Sequence, residues 1–350
     1  MKLIFLIFCI VTVFILLLTM LKTNLIYSTI RVESKDLYQF NYRDTNILSM
    51  LKLIIEPKCE LSFIVWIVTS SANDDSYRTA SRDAYPNEIL KSLNITRIFL
   101  LGMPKVANEQ KHILEESQEY NDLLQGDFLE DYRNLTLKHL MGLKWTTDNC
   151  RGPFIMKSDD DIALDIFEIS RFPRRKTIEE NTISGYALRN MKPVREASNK
   201  WFVSRQEFPG DIYPDFLSGW FYVTSLDVAK LLVSTCRKLN NFFWIDDVFV
   251  TGILRQESGI EFEDLKSMYA TDYRYLECCI RGAKKRLKCD FIAGPDGGKK
   301  ELHIKFREFS QFCQRYCSKR TEEQSVLKSC VSAYEERINA VNSKAEIHYV

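Results

Sequence analysis

The chain has 350 residues, of which 45% are hydrophobic, and its 48 basic and 47 acidic residues give a formal net charge of +1. This composition excludes an intrinsically disordered chain and suffices for one large α/β domain or two smaller ones. The charge balance argues against a nucleic-acid-binding protein, because the densest basic cluster, around residues 284–288, is short.

The chain begins with an apolar segment, Leu3 to Leu21, that contains no charged residue. As a helix it is long enough to cross the hydrocarbon core of a bilayer. No small-residue cleavage site follows it, which favours a signal anchor over a cleaved signal peptide. We therefore predict a cytoplasmic stub and transmembrane helix over 1–22, a stem over 23–58, a catalytic domain over 59–305 and a helical, cysteine-bearing extension over 306–350.

The segment beyond the predicted anchor has features of secreted chains. Glycosylation sequons begin at Asn94 and Asn134, and nine of the ten cysteines follow the apolar segment. Because nine is odd, at least one cysteine is expected to be free or to link two chains in a homo-oligomer. The four-residue spacing of Cys313 and Cys317 favours separate disulfide partners on one helix face over a zinc site. We therefore predict a single-pass type II protein whose catalytic body is lumenal.

Two nearly continuous apolar runs, 61–69 and 97–102, are typical of buried parallel strands. The stretch between them, 77–93, has a helical pattern that places Arg78 and Arg82 one turn apart. These arginines fit a solvated helix face, and they equally fit a cationic lip that binds a diphosphate near a strand end. The sequence leaves both interpretations open.

Helical patterns at 109–124 and 132–143 precede a third strand at 154–157. His139 lies in the second of these helices and is predicted to be structural. Further helices are predicted at 225–238 and after residue 246. Because strands and helices alternate, we predict an α/β fold, Rossmann-like, with a mostly parallel central sheet flanked by helices.

The third strand stops at three consecutive carboxylates, Asp159, Asp160 and Asp161. Adjacent acids raise one another's pKa unless a cation relieves their repulsion, and oxygen ligands with open positions suit Mg²⁺ or Mn²⁺. An acidic loop or a helix N-terminus whose dipole favours Asp is the alternative. The triplet alone does not decide between them.

Five blocks in order resemble the inverting glycosyltransferases of the β-1,3-galactosyltransferase and N-acetylglucosaminyltransferase family, family 31. The resemblance covers about residues 60–255. The blocks are Arg97–Gly102, Asn121–Lys138, Lys157–Ile162, Tyr213–Val223 and Asp246–Val250. The resemblance implies a GT-A fold, a UDP-sugar donor and Mn²⁺ (or Mg²⁺) as cofactor.

The resemblance also implies roles for individual residues. Asp161 is the expected direct metal ligand, and Asp159 and Asp160 are expected to contact the metal or the donor ribose. Asp247 is the expected catalytic base, and Gly219 is expected to let the backbone approach the donor sugar. His303 is a candidate C-terminal metal ligand, for which a satisfied core histidine is the alternative.

Three positions depart from the family pattern. Asp246 stands where the family usually has Glu, and Trp220 and Phe221 stand where it has small residues, so these aromatics either contact a sugar or fill the core. The predicted function is a Golgi-membrane hexosyltransferase. It would transfer galactose or an N-acetylhexosamine from UDP to the 3-hydroxyl of an acceptor glycan on a glycoprotein or glycolipid. A non-catalytic glycan-binding or chaperone-like relative is the alternative.

Overall fold

The structure is a computed structural model that describes residue 48 and residues 51–175, 181–239 and 242–330. The predicted transmembrane helix and most of the predicted stem lie outside these residues. In the described ranges, no helix has both the length and the apolar character needed to cross a bilayer.

Two compact units are distinguished. The larger includes the described residues of 43–192 and 213–350, and the smaller includes Pro193–Ile212. In the segment 193–212, the guanidinium group of Arg195 donates hydrogen bonds to the carbonyl groups of Val203, Phe208 and Gly210 at 2.7, 2.8 and 2.7 Å. One arginine thus holds together three points of a segment without regular secondary structure.

The larger unit contains an eight-stranded sheet and a separate two-stranded ladder. The sheet has the order β1-β4-β3-β2-β5-β8-β7-β9, and the ladder pairs β6 with β10. The strands are β1 Leu53–Ile55, β2 Ile64–Thr69, β3 Ile95–Met103, β4 Leu123–Leu129, β5 Phe154–Asp159, β6 Ile162–Leu164, β7 Thr182–Leu188, β8 Phe216–Ser225, β9 Glu261–Asp264 and β10 Ala293–Pro295. The central strands β4, β3, β2 and β5 are parallel, whereas β8 runs antiparallel to β5.

Helices connect the strands. They are α1 Ser76–Ala84, α2 Asn87–Leu93, α3 Ala107–Tyr120, α4 Leu135–Asn149, α5 Ile166–Arg175, α6 Leu226–Lys238, α7 Arg255–Glu257, α8 Tyr273–Arg281, α9 Glu301–Tyr316 and α10 Val326–Ser329. A π-helix, Val248–Leu254, leads into α7. Short 3₁₀ turns lie at Tyr132–Asn134, Lys266–Met268, Gly282–Lys285 and Glu322–Gln324.

The predicted α/β architecture with a largely parallel sheet centre is confirmed. Strand β2 has five consecutive buried residues, since helices cover both faces of the sheet, and this explains its continuous apolar run. Residues of β2 and β5 pair in parallel register, with Thr69 opposite Asp159. The acid triplet therefore lies at the carboxyl edge of the sheet centre, where ligands bind in open α/β sheets.

Two predicted domain boundaries need correction. Strand β1 pairs with β4, and the Lys52 carbonyl accepts a hydrogen bond from the Asp127 amide at 2.8 Å, so the folded body begins before residue 59. Residue 306 lies inside α9, whose buried face packs into the same core cluster as Leu276 of α8. An amphipathic helix that is continuous from Glu301 leaves no boundary at 306.

Eight of the nine cysteines beyond the apolar segment form disulfides. The pairs are Cys59–Cys150, Cys278–Cys330, Cys279–Cys289 and Cys313–Cys317. The prediction of separate partners for Cys313 and Cys317 is wrong: α9 ends at Tyr316, Cys317 is extended, and the two Cα atoms are 4.5 Å apart. The odd cysteine is Cys236, which is free and buried, so no described cysteine is exposed for a bond between chains.

Burial should make Cys236 unreactive in the native protein, because it raises the pKa of the thiol to about 12 and the thiolate is the reactive species. We expect iodoacetamide to leave Cys236 unmodified in the folded, oxidised protein and to modify it after unfolding without reductant. Peptide mass spectrometry measures both states. Modification of any of the eight paired cysteines without reduction would contradict the disulfide assignment.

Candidate active site

A buried lysine links three segments at the carboxyl edge of the sheet. Lys157 of β5 is 1% exposed, and its Nζ donates to Asp159 Oδ1 and to the Gly219 carbonyl, each at 2.6 Å. The Oδ2 atom of Asp246 lies 4.0 Å from the same Nζ. Burial alone would lower the pKa of Lys157, but the charges of Asp159 and Asp246 raise it, so the ammonium group stays charged. Lys157 therefore fixes the spacing between β5, β8 and the residues before the π-helix.

Gly219 lies at the centre of this cluster. A Cβ atom on Gly219 would be 3.3 Å from Lys157 Nζ, 3.7 Å from Asp247 Cβ and 3.9 Å from Asp159 Oδ2. The Cβ position of Gly219 thus lies within 4 Å of both Asp247 and Asp159 of the acid triplet. A side chain here would occupy the space between the two groups of acids.

Asp246 is held as an ionised carboxylate. Its Oδ2 lies 3.0 Å from His139 Nδ1, and His139 Nε2 lies 2.7 Å from the Tyr222 hydroxyl. Burial opposes ionisation, but the hydrogen bond from His139 and the charge of Lys157 outweigh it and lower the pKa of Asp246 to about 2. Burial also lowers the pKa of His139, so the neutral ring donates from Nδ1 to Asp246 and accepts from Tyr222 at Nε2.

Asp247 follows at the start of the π-helix. Its Oδ1 accepts a hydrogen bond from the Val248 amide at 2.8 Å, so the side chain also caps this helix. Burial and the negative charge of Asp246 raise the pKa of Asp247 to about 7. Neighbouring acids with pKa values pushed this far apart are a pattern of acid–base sites.

The acid triplet is crowded. Burial and the charge of Asp159 raise the pKa of Asp160 to about 6, although Ser70 donates a hydrogen bond to it. Asp161 is in contact with solvent at the edge of this cluster. Partial desolvation and the negative charges of Asp159, Asp160 and Asp296 raise its pKa to about 7. The carboxylates therefore lie where a cation would relieve their repulsion.

His303 lies against Asp296. It is 2% exposed on α9, and its Nε2 lies 3.3 Å from Asp296 Oδ2. Asp296 in turn lies next to Asp161, because the Asp296 amide donates to the Asp161 carbonyl at 2.9 Å. Across the described ranges, no three or more His, Cys, Asp or Glu side chains are arranged to hold a metal ion.

The cationic lip predicted for Arg78 and Arg82 is not formed. Arg78 is buried and makes a bidentate pair with Glu116 of α3 at 2.7 and 2.8 Å. Arg82 makes a bidentate pair with Asp122 at 2.7 and 3.0 Å and also contacts Glu116 at 2.8 Å. These acids neutralise both guanidinium groups, so the pair fastens α1 to the α3–β4 connection.

The two aromatic departures from the family pattern differ in placement. Phe221 is fully buried in the core between the sheet and the β6–β10 ladder, as the core-filling interpretation predicts. Trp220 is half-buried next to Gly219 and packs against the same cluster. Of the two, only Trp220 offers surface for a sugar.

A galactosyltransferase family model matches residues 76–266 of the chain. The chain belongs to the galactosyltransferase family. Among relatives, this galactosyltransferase-family protein is 34% identical to β-1,3-galactosyltransferase 5 of Homo sapiens over 235 residues, covering 66% of this chain and 74% of that protein. It is 31% identical to β-1,3-galactosyltransferase 1 of Mus musculus over 255 residues, covering 69% and 73%.

A solved structure of galactosyltransferase LgtC with donor and acceptor sugar analogues is similar at 9% identity and a TM-score of 0.32, over 74% of this chain and 98% of that chain. The sequence relatives confirm the resemblance given by the five blocks, and the galactosyltransferase-family protein is a glycosyltransferase of the β-1,3-galactosyltransferase type. The family match includes Asp159, Asp161, Gly219 and Asp247 but ends before Asp296 and His303.

Proposed function

We propose that this glycosyltransferase is an inverting, metal-dependent hexosyltransferase with a GT-A fold. It moves galactose or an N-acetylhexosamine from a UDP-sugar to the 3-hydroxyl of an acceptor glycan on a glycoprotein or glycolipid. The observation that supports this most is the placement of Gly219, whose Cβ position is 3.7 Å from Asp247 Cβ and 3.9 Å from Asp159 Oδ2 of the triplet. A donor bound at Gly219 would therefore be close both to the acid triplet and to Asp247.

Asp247 acts as the general base. Inversion requires a base on the face of the sugar opposite the leaving group, where it takes the proton of the acceptor hydroxyl as that oxygen attacks the anomeric carbon. The pKa of about 7 is near the working pH, so Asp247 is ionised often enough to act and basic enough to hold the proton. Asp246 stays ionised, and its negative charge keeps the pKa of Asp247 raised.

The donor set of the triplet fits a hard divalent cation. Carboxylate oxygens are the ligands of Mg²⁺ and Mn²⁺, and a site shared with substrate phosphates needs only one or two protein carboxylates. Asp159 and Asp161 would hold the ion. The sequence also predicts His303 as a ligand, but its Nε2 lies 3.3 Å from Asp296 Oδ2. When bound, such an ion stabilises the negative charge that develops on the departing UDP. Lys157 donates a hydrogen bond to Asp159 Oδ1 and so orients this carboxylate.

The proposed base gives the rate a defined pH dependence. Protonated Asp247 cannot accept the hydroxyl proton, so kcat/KM should fall as the pH drops through about 7. Because the charge of Asp246 raises the pKa of Asp247, the Asp246→Asn variant should shift this fall in kcat/KM to lower pH. Initial rates between pH 5 and 9 with a UDP-sugar and an acceptor test both statements. A rate that stays constant down to pH 5 would contradict the assignment of the base.

We also infer a lumenal catalytic body in the Golgi membrane. Four disulfides in the described part of the chain suit an oxidising compartment. Asn94 is exposed at the end of α2, whereas the Asn134 amide donates to the Leu129 carbonyl at 2.9 Å. Asn94 is therefore the more accessible of the two glycosylation acceptors. A glycosidase-sensitive mass shift that the Asn94→Gln variant lacks would support this placement.

A further inference from the structure

Asp296 lies directly opposite Asp161 across the β6–β10 ladder. The antiparallel register pairs Gly294 with Ala163 and Pro295 with Ile162, so Asp296 and Asp161 form the next pair. The hydrogen bond from the Asp296 amide to the Asp161 carbonyl, 2.9 Å, continues the ladder to this pair. Side chains of directly opposed residues project from the same face, with Cβ atoms about 4.5–5.5 Å apart. Two carboxylates in this arrangement repel each other unless a cation lies between them.

The environment of Asp296 is unusual for a buried acid. Asp296 is 1% exposed, and its Oδ1 accepts a hydrogen bond from the Gly298 amide at 2.8 Å. Its Oδ2 and both ring nitrogens of the buried His303 make no hydrogen bond in the part of the chain that the structure describes. Oδ2 and Nε2 lie 3.3 Å apart without forming a hydrogen bond. A buried polar atom without a hydrogen bond is costly, so a carboxylate oxygen in this state points to a missing ligand.

We propose that Asp296 is a protein ligand of a divalent cation shared with Asp161, and that His303 acts through Asp296 as a positioning residue. This inference rests on the proposed function, because it adds a residue to the metal site of that reaction. The Oδ1 atom is used by Gly298, which leaves Oδ2 for the cation. His303 Nε2 lies 3.3 Å from that Oδ2, where it can orient the carboxylate from the protein side. The arrangement assigns the direct contact predicted for His303 to Asp296.

The test is Mn²⁺ binding by the full-length chain in the presence of UDP, followed through the electron paramagnetic resonance signal of free Mn²⁺. Loss of an orienting partner typically weakens metal binding about 10–100-fold, and loss of a direct ligand should weaken it at least as much. We therefore expect Asp296→Asn to weaken Mn²⁺ binding about 100-fold and His303→Asn about 10-fold. Equal Mn²⁺ affinity of the Asp296→Asn variant and the unaltered chain would overturn the proposal, as would absence of Mn²⁺ binding by the unaltered chain.

Asp165→Asn is the matched control, because Asp165 is also a buried carboxylate and caps α5 through the amides of Phe167 and Glu168. Asparagine is an equally good cap, so this variant should bind Mn²⁺ like the unaltered chain. A second variant shows whether Asp296 binds the metal or only pairs with His303. Asp296→His retains a metal ligand and should restore most of the affinity, whereas a purely structural carboxylate would not be replaced by a second imidazole.

Thermal unfolding in EDTA shows whether each variant folds without metal. A folded Asp296→Asn variant that has lost Mn²⁺ binding supports the inference, and one that is destabilised in EDTA but binds Mn²⁺ normally overturns it. The outcome is independent of sugar transfer. Mn²⁺ binding that depends on Asp296 in a chain without transferase activity would refute the proposed function alone, and metal-dependent transfer with unchanged Mn²⁺ affinity of Asp296→Asn would refute this inference alone.

Discussion

Replacing Asp247 with asparagine should lower kcat for sugar transfer by about a thousandfold, within the 10²–10⁴ range that a positioned base contributes. The amide side chain cannot take the proton of the acceptor hydroxyl. Its oxygen can still accept the hydrogen bond from the Val248 amide, so the cap of the π-helix and the fold should persist. UDP binding, measured by calorimetry, should change by less than about threefold, since a base acts in the transition state.

Asp227→Asn is the control for this change. Asp227 is an exposed acid on α6 that forms a surface ion pair with Lys230. This variant should transfer sugar at the unaltered rate. If Asp247→Asn kept more than a tenth of the kcat, Asp247 would not be the base, and the proton would have to leave through another group.

The second large effect concerns stability. Replacing Lys157 with methionine should lower the free energy of unfolding by about 3–5 kcal/mol, because removal of one partner leaves buried carboxylates uncompensated. Asp159 would lose its hydrogen bond to Nζ, and Asp246 would lose the neighbouring positive charge. Denaturant unfolding near pH 7 measures the difference. A loss below about 1 kcal/mol would show that Lys157 does not compensate these acids.

Lys144→Met provides the comparison, since Lys144 forms a surface ion pair with Asp148 one helical turn away and should contribute less than about 1 kcal/mol. The loss of unfolding free energy in Lys157→Met should also depend on pH. A lowered pKa such as that of Asp246, about 2, stabilises the fold above the unfolded value and loses this effect as the pH falls. The difference between the two proteins should therefore shrink as the pH falls from about 4 towards 2.

The sheet centre and the carboxylates at its edge could be predicted from the sequence because each has a local signal. The apolar runs of β2 and β3 reveal strands that are buried on both faces, and the run before Asp159 shows which strand carries the acids. The three-residue strand β1 is too short to produce a periodic pattern, so the body was predicted to begin too late. The predicted boundary at 306 is also wrong, because it falls inside α9, which is continuous from Glu301 to Tyr316.

Side-chain partners distant in sequence could not be predicted in this way. In the sequence Arg78 and Arg82 fit a free cationic pair, but in the fold both contact Glu116 of α3. The sequence predicts a structural role for His139, but in the fold it contacts Asp246, which is 107 residues later in the chain. One usable signal was overlooked. Lys157 is a single charge inside an apolar strand, and a lysine in such a position needs an acidic partner.

The most direct test of the central claim is transfer from UDP-galactose, UDP-N-acetylglucosamine and UDP-N-acetylgalactosamine to a panel of acceptor glycans, with Mn²⁺ or with chelator. The unaltered chain is compared with Asp161→Asn and Asp247→Asn. The proposed function predicts transfer of one sugar that requires the metal and is abolished by both substitutions. Binding of UDP or glycan without transfer of any of the three sugars would contradict it and favour a non-catalytic glycan-binding or chaperone-like relative.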